Sequence, residues 1–300
     1  DEGLEKVGAL LQDGSGAPQN QKDLASAIQA INASQSEGPF TITVLNTSEL
    51  VVWPQDLAPN KPTLIDFSGN SVDLPDTLTL QAPLTIRSVT NFNTDNGLCT
   101  LDAGSHAFQM INGGSFGFRE IRGSDLTFTG GVPGSDSMGA PVQLTGTGES
   151  PAVTYSQIGS GTSYYALPPM QGFDRLVLDR SFLKADHYGQ YTGQLSGTQS
   201  VILNEGGLQL HQPAQIPSLQ GNGVLSFEGS GALAVTEEAA GSFQLPEFSG
   251  TTLDPALLTL PEGAQVSLTN KDGEPLQPPA PAAATVLGGS MTTETGFASF

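Results

Sequence analysis

Thr77–Ile86 reads TLTLQAPLTI, and this stretch decides what kind of structure the chain builds. In extended backbone successive side chains point to opposite faces, so Leu78, Leu80, Leu84 and Ile86 fall on one side and Thr77, Thr79 and Thr85 on the other. Threonine suits a half-exposed pleated surface because its branched β-carbon favours extended backbone. The same pattern recurs outward in both directions, from Phe40–Leu45 and Thr63–Phe67 through Cys99–Leu101, Phe108–Ile111 and Leu126–Phe128. It resumes at Leu176–Leu178, Val201–Leu203 and Val224–Phe227 and ends at Val266–Leu268. Gly, Asn, Ser, Asp and Pro separate these strands and supply positive φ or fixed turns.

A β-sandwich, a barrel and a β-solenoid all use short strands at such spacing. Two-residue Asn-Gly or Asp-Gly turns, the hallmark of hairpins, are scarce. Asn96-Gly97 and Asp272-Gly273 are the best cases, and neither has good strands on both sides. A solenoid needs only tight bends between faces, and Asn112–Gly114, Gly221–Gly223 and Gly229–Gly231 read as such bends. In Gln21–Ala33, Leu24, Ala27, Ile28 and Ile31 recur with helical period and give one buried face, with Asn20 or Asp23 as cap. This predicts an all-β chain in three parts. Residues 1–38 carry the capping helix, 39–268 form the solenoid with an insertion near 155–191, and 269–300 form a Pro/Ala-rich tail or cap.

The run Leu98–Thr129, LCTLDAGSHAFQMINGGSFGFREIRGSDLTFT, resembles the pectate-lyase-like parallel β-helix superfamily, and adhesin-like bacterial cell-surface proteins in particular. The helix followed by Phe40–Leu45 is similar to the N-terminal cap of that group. Residues 20–130 carry the resemblance. It implies a right-handed single-stranded parallel β-helix, secreted or displayed at a cell surface. It further implies an adhesin-like module that binds a glycan or a cell-surface protein without catalysis. The same superfamily holds polysaccharide lyases and glycoside hydrolases, and a structural spacer without ligand is a third reading.

Composition narrows the partners. Thirty Asp and Glu against ten Lys and Arg leave a net charge of −20, although charged residues are only 13% of the chain. Nucleic acid requires a basic patch, and anionic membrane surfaces repel such a protein. Neutral or cationic partners fit, Ca²⁺ among them, although the residues point to no cofactor. Cys99 is the only cysteine, so no intrachain disulfide forms. No apolar run approaches the ~20 residues that span a bilayer. The chain opens at Asp1 rather than Met and reads as a mature or trimmed segment.

The segment 155–191 holds all five tyrosines, Tyr155, Tyr164, Tyr165, Tyr188 and Tyr191, and three of the ten basic residues, Arg175, Arg180 and Lys184. Asp174, Asp179, Asp186 and His187 lie among them. Rings that stack on sugar faces beside groups that bond hydroxyls are what a glycan site uses. The plainer reading is a cover whose rings pack on the solenoid and whose charges pair with one another. Alternation places Arg175 and Asp179 on one side of their strand and Asp174 and Arg180 on the other. His106, His187 and His211 lack metal-ligand spacing, and Gly159-Ser160-Gly161 lacks the form of a nucleophile elbow.

Overall fold

The computed structural model describes residues 8–45, 50–93, 99–112, 117–133, 142–185, 193–248, 250–254 and 256–277. It is a parallel β-solenoid of about nine turns with one short helix, as the strand pattern predicts. The longest wall begins with Phe40–Val44, Thr63–Asp66, Leu84–Arg87 and Ala107–Ile111, each paired in parallel with the next. It continues through Asp125–Thr129, Ala152–Ser156, Arg175–Asp179 and the first half of Ser200–Leu210. A second wall stacks Thr77–Thr79, Cys99–Asp102, Phe118–Gly123, Gln143–Gly146 and Met170–Gln171. Among the described residues antiparallel pairing is confined to the two ends, around Ala9–Asp13 and at Pro275–Leu276, and to one isolated bridge between Ser160 and Ser163.

Register turns the sequence alternation into internal files. Ile42, Ile65, Ile86, Met110, Phe128, Tyr155, Leu178 and Leu203 occupy equivalent positions on successive coils. All eight are at most 3% exposed. Leu78, Leu80, Leu84 and Ile86 are likewise buried, so the decisive stretch is read correctly. Each such side chain contributes ~1.5–3 kcal/mol by leaving water. Coil length is uneven. Phe108 and Leu126 are aligned across 18 residues, whereas Leu126 and Val153 are aligned across 27.

The corners explain how uneven coils keep one register. Ser88, Asn112, Gly130, Gln157 and Arg180 each follow the last residue of a long-wall strand, and all have φ between 47° and 74°. Each donates its backbone N–H to a carbonyl of the following coil, so the ladder continues into the turn. Only Asn112 and Gly130 are residue types that favour this conformation. The sequence reading finds the corner at Asn112 and misses those at Ser88, Gly130, Gln157 and Arg180.

The three expected bends have different outcomes. Asn112–Gly114 is described only as far as Asn112, which is a corner. Gly229–Gly231 is a turn, as read. Gly221–Gly223 lies inside the continuous strand Pro213–Phe227. There Gly221 (φ 101°) stacks on Gly241 (φ 137°), and a β-carbon on either would press into the carbonyl oxygen of the neighbouring coil. The chain bends at this corner without leaving the ladder.

The helix spans Leu24–Ala33 and buries Leu24, Ala27, Ile28 and Ile31. It starts later than the expected Gln21 because Asp23 is extended and caps it, accepting from the Ser26 backbone N–H at 2.7 Å. Lys61 Nζ reaches back to the carbonyls of Ile31 and Ser34, where the helix dipole favours a cation. The sequence reading omits Ala9–Asp13, which pairs antiparallel with Phe40–Val44 and covers the first coil's edge together with the helix. Trp53 is a core residue whose Nε1–H donates to the Leu57 carbonyl at 2.7 Å.

Gly130 is a corner with little room for change. A β-carbon there would lie 2.0 Å from Asn112 Oδ1, and φ is 74°. Gly130→Ala is expected to lose about 2 kcal/mol or more in chemical denaturation, from left-handed strain plus displacement of Asn112. A variant with parental stability would show that the corner file is not rigid.

Candidate functional site

The segment expected to hold the site contributes several strands to the solenoid walls. Ala152–Ser156, Arg175–Asp179 and Phe182–Ala185 all pair in parallel with neighbouring coils. The wall separates the candidate residues instead of gathering them.

Tyr155 lies inside the solenoid at 0% exposure, its ring stacked on Phe128 with centroids 5.6 Å apart. It offers nothing to an external ligand, because the strand alternation that carries Thr154 outward carries Tyr155 inward. Its buried hydroxyl has no hydrogen-bond partner among the described residues, and burial pushes its pKa far up. Tyr164 is half-buried on another wall, edge-on to Phe182 at 5.6 Å. Its hydroxyl extends over Gly207, where no side chain stands in the way. Burial, then the carboxylates of Glu247 and Glu228, push that phenol up to about 12. Tyr165 is exposed. Lys184 is in register with Ala166 and Gln209 on this wall. Asp186, His187, Tyr188 and Tyr191 lie outside the described residues.

Arg175 and Asp179 do face outward on one strand, as alternation predicts. Arg180 does not sit opposite them. Its positive φ takes the chain out of the strand, and Nη2 lies 3.3 Å from Asp179 Oδ2. Asp179 also accepts from Ser156 Oγ at 2.8 Å and Asn204 Nδ2 at 2.6 Å, one coil away on each side. The Ser156 hydrogen bond first, with Arg180 and Asn204, holds its carboxyl below the usual carboxylate range. A carboxylate so committed is a cross-coil strut and a poor proton donor.

Arg175 differs from its counterparts. Arg87 pairs with Asp66 at 2.8 Å, and Arg122 lies 3.8 Å from Asp102, each across one coil step. Among the described residues the Arg175 side chain makes no ion pair. It opens instead onto a groove of about 720 Å³ that crosses successive coils. Ser150 stands at one end, followed by Asp174 with Arg175, then Thr198 with Ser200, then Pro217 and Glu237. Beside the lining residues, Gln199 Oε1 and Ser218 Oγ are buried without hydrogen-bond partners among the described residues. Apart from Asp174 and Arg175 the sequence reading missed this groove. Its hydroxyls sit in stretches that read as turns, and only coil stacking brings them together.

Other chemistry is sparse. No group of three or more His, Cys, Asp or Glu capable of holding a metal occurs among the described residues. His211 contacts Gln209 and Glu228, while His187 lies outside the described residues. Burial pushes the Cys99 thiol up to about 12. Asn32, in a glycosylation-like Asn-Ala-Ser, uses its amide to hold Ala58 and Asn60. No described helix is long and apolar enough to cross a membrane. No protein-family model, curated protein or solved structure matches the chain.

Two outcomes test this assignment of roles. Asp179 has a lowered folded pKa, so its contribution is complete above the unfolded value of ~3.9 and disappears as pH falls through the folded one. Melting temperatures measured from pH 6 to pH 2 should therefore fall less steeply for Asp179→Asn than for the parent; equal slopes would mean that Asp179 is not a strut. Tyr155→Phe removes a buried hydroxyl without a partner, so stability should hold or rise by about 1 kcal/mol. A loss of that size in denaturation would reveal a hidden hydrogen-bond partner.

Proposed function

We propose that this chain is an adhesin-like module of the extracellular space or cell surface that holds a glycan along its wall without cleaving it. The observation that carries the reading is the groove from Ser150 to Glu237, which runs across coils and contains the guanidinium of Arg175, without an ion pair among the described residues. Hydroxyls, a planar fork of donors and flanking carboxylates can all bond sugar hydroxyls. Asp179, the most elaborately hydrogen-bonded acid of the expected site, is held ionised, which counts against acid catalysis there. The net charge of −20 fits a neutral ligand better than a polyanion.

Cleavage by a pectate-lyase-like mechanism is a second reading. Arg175, without an ion pair among the described residues, lines the groove together with Asp174 and Glu237 and favours it, since a lyase needs a basic residue near carboxylates. The β-solenoid is compatible with both readings, because fold alone assigns no activity. A glycan array with the intact chain, with and without Ca²⁺, separates them. Binding should occur and weaken at least tenfold in Arg175→Ala, with no unsaturated sugar released on long incubation. Arg175-dependent release of such products would establish the lyase. Binding to no glycan would leave the spacer.

A further inference from the structure

Opposite charges elsewhere on the walls find one another. Arg87 pairs with Asp66, Arg122 approaches Asp102, and even the adjacent Arg180 and Asp179 meet at 3.3 Å. The groove is different. Asp174, Arg175 and Glu237 all line it and all are exposed, yet among the described residues their side chains make neither an ion pair nor a hydrogen bond. The backbone of the first two, by contrast, is fixed on both sides. Asp174 and Arg175 donate their N–H groups to the Pro151 carbonyl at 2.9 and 3.2 Å, and the Asp174 carbonyl accepts from the Ser200 N–H at 2.8 Å. Three ladder steps, through Ser200 and Ser218, lead from Arg175 to the strand of Glu237, or ~14 Å at ~4.8 Å per coil. A guanidinium thus stands with one carboxylate beside it and another further along the groove.

We infer that the ligand of this groove carries a zwitterionic substituent, an amino-acid or short peptide chain with a free carboxylate and a free ammonium group. The inference rests on the glycan-binding reading above and specifies what the sugar bears. The planar fork of Arg175 matches a carboxylate through two parallel hydrogen bonds. A primary ammonium donates three hydrogen bonds, and the carboxylates of Asp174 and Glu237 can only accept. A substituent of one sign meets a like charge whichever it is: an anion faces the two acids, and a cation faces Arg175. One that bears both signs satisfies both kinds of group and adds no net charge, in keeping with a chain of net charge −20. The hydroxyls of Thr198 and Ser200 are left for the sugar itself. A metal ion is a poor occupant, because Arg175 repels it and no group of three or more metal-binding residues occurs among the described residues.

The test titrates the intact chain, by calorimetry, with a chitin oligosaccharide joined to lysine through its α-nitrogen, which leaves a free carboxylate and a free side-chain ammonium. Three relatives accompany it: the bare oligosaccharide, the conjugate with its ammonium acetylated, and the conjugate with its carboxylate amidated. Free Nα-acetyl-lysine is the sugar-free comparison. The zwitterionic conjugate should bind at least tenfold more tightly than the bare sugar, and capping either charge should remove that preference. Raising salt from about 50 mM to about 500 mM should reduce the preference, because screening weakens charge-driven contacts between exposed groups. Arg175→Gln, and separately Asp174→Asn with Glu237→Gln, should each reduce it at least fivefold, with circular dichroism and melting confirming the fold. If bare and zwitterionic sugars bind equally and Arg175→Gln weakens both, the substituent is overturned and the glycan reading survives. If the amidated, purely cationic conjugate binds as tightly as the zwitterion, net charge alone draws the ligand and the inference is overturned. If Nα-acetyl-lysine binds as tightly as the conjugate, the charged groups act as inferred and the glycan reading is overturned. Failure to bind any of the five compounds overturns both.

Discussion

Everything in this molecule depends on each coil returning its backbone to hydrogen-bonding distance of the coil before it. A solenoid strand has partners above and below only if successive coils stay in register over the full circuit. Here the coils differ in length by as much as ten residues, from 17 to 27, so register cannot come from a sequence repeat. It comes from two fixed points. One is the inward file of aliphatic and aromatic side chains, which a one-residue slip would turn into solvent. The other is the file of left-handed corner residues, whose N–H groups keep donating to the next coil while the chain changes direction. Between those points extra residues loop out without disturbing the ladder.

This arrangement determines what was legible in the sequence. The inward residues of Thr77–Ile86 show their role by alternation alone, and so does the amphipathic helix Leu24–Ala33. Ala9–Asp13 alternates too weakly to declare itself, and its role as an edge cover becomes visible only beside Phe40–Val44. The corners at Ser88, Gln157 and Arg180 are invisible because neighbouring coils impose their conformation against residue preference. Tyr155 shows the opposite error. Grouping it with the other tyrosines by sequence proximity placed it on the surface, although its own strand, Ala-Val-Thr-Tyr-Ser, has the same alternation that identified the core elsewhere.

The candidate site was legible only in fragments for a related reason. Residues 155–185 are close together in sequence, yet one circuit of a solenoid distributes them around its perimeter. Sites on this fold are built across coils, from residues about twenty apart, as in the triplet Ser156, Asp179 and Asn204. The same holds for the groove, which takes Arg175, Ser200 and Glu237 from three different coils. Charge is treated the same way. Asp66 with Arg87 and Asp102 with Arg122 are each one coil apart, where partly exposed pairs contribute ~0–1 kcal/mol. Such pairs do little for stability, but they neutralise the wall locally in a strongly acidic chain.

Because alternation assigns each residue to the inside or the outside, stability and recognition are largely separable here. The inward files and corner residues hold the coils, whereas Thr127, Thr154, Arg175 and Ser200 lie outside the core and bear little of that load. A change at these positions alters what the wall presents without altering how coils stack, provided the new side chain tolerates extended backbone. Asp179 is the exception, since it faces outward yet ties three coils together. A surface variant that retains its fold therefore reports on the ligand, while one at Asp179 reports on both. That difference makes Arg175, rather than its neighbour four residues along the same strand, the informative position for asking what this wall binds.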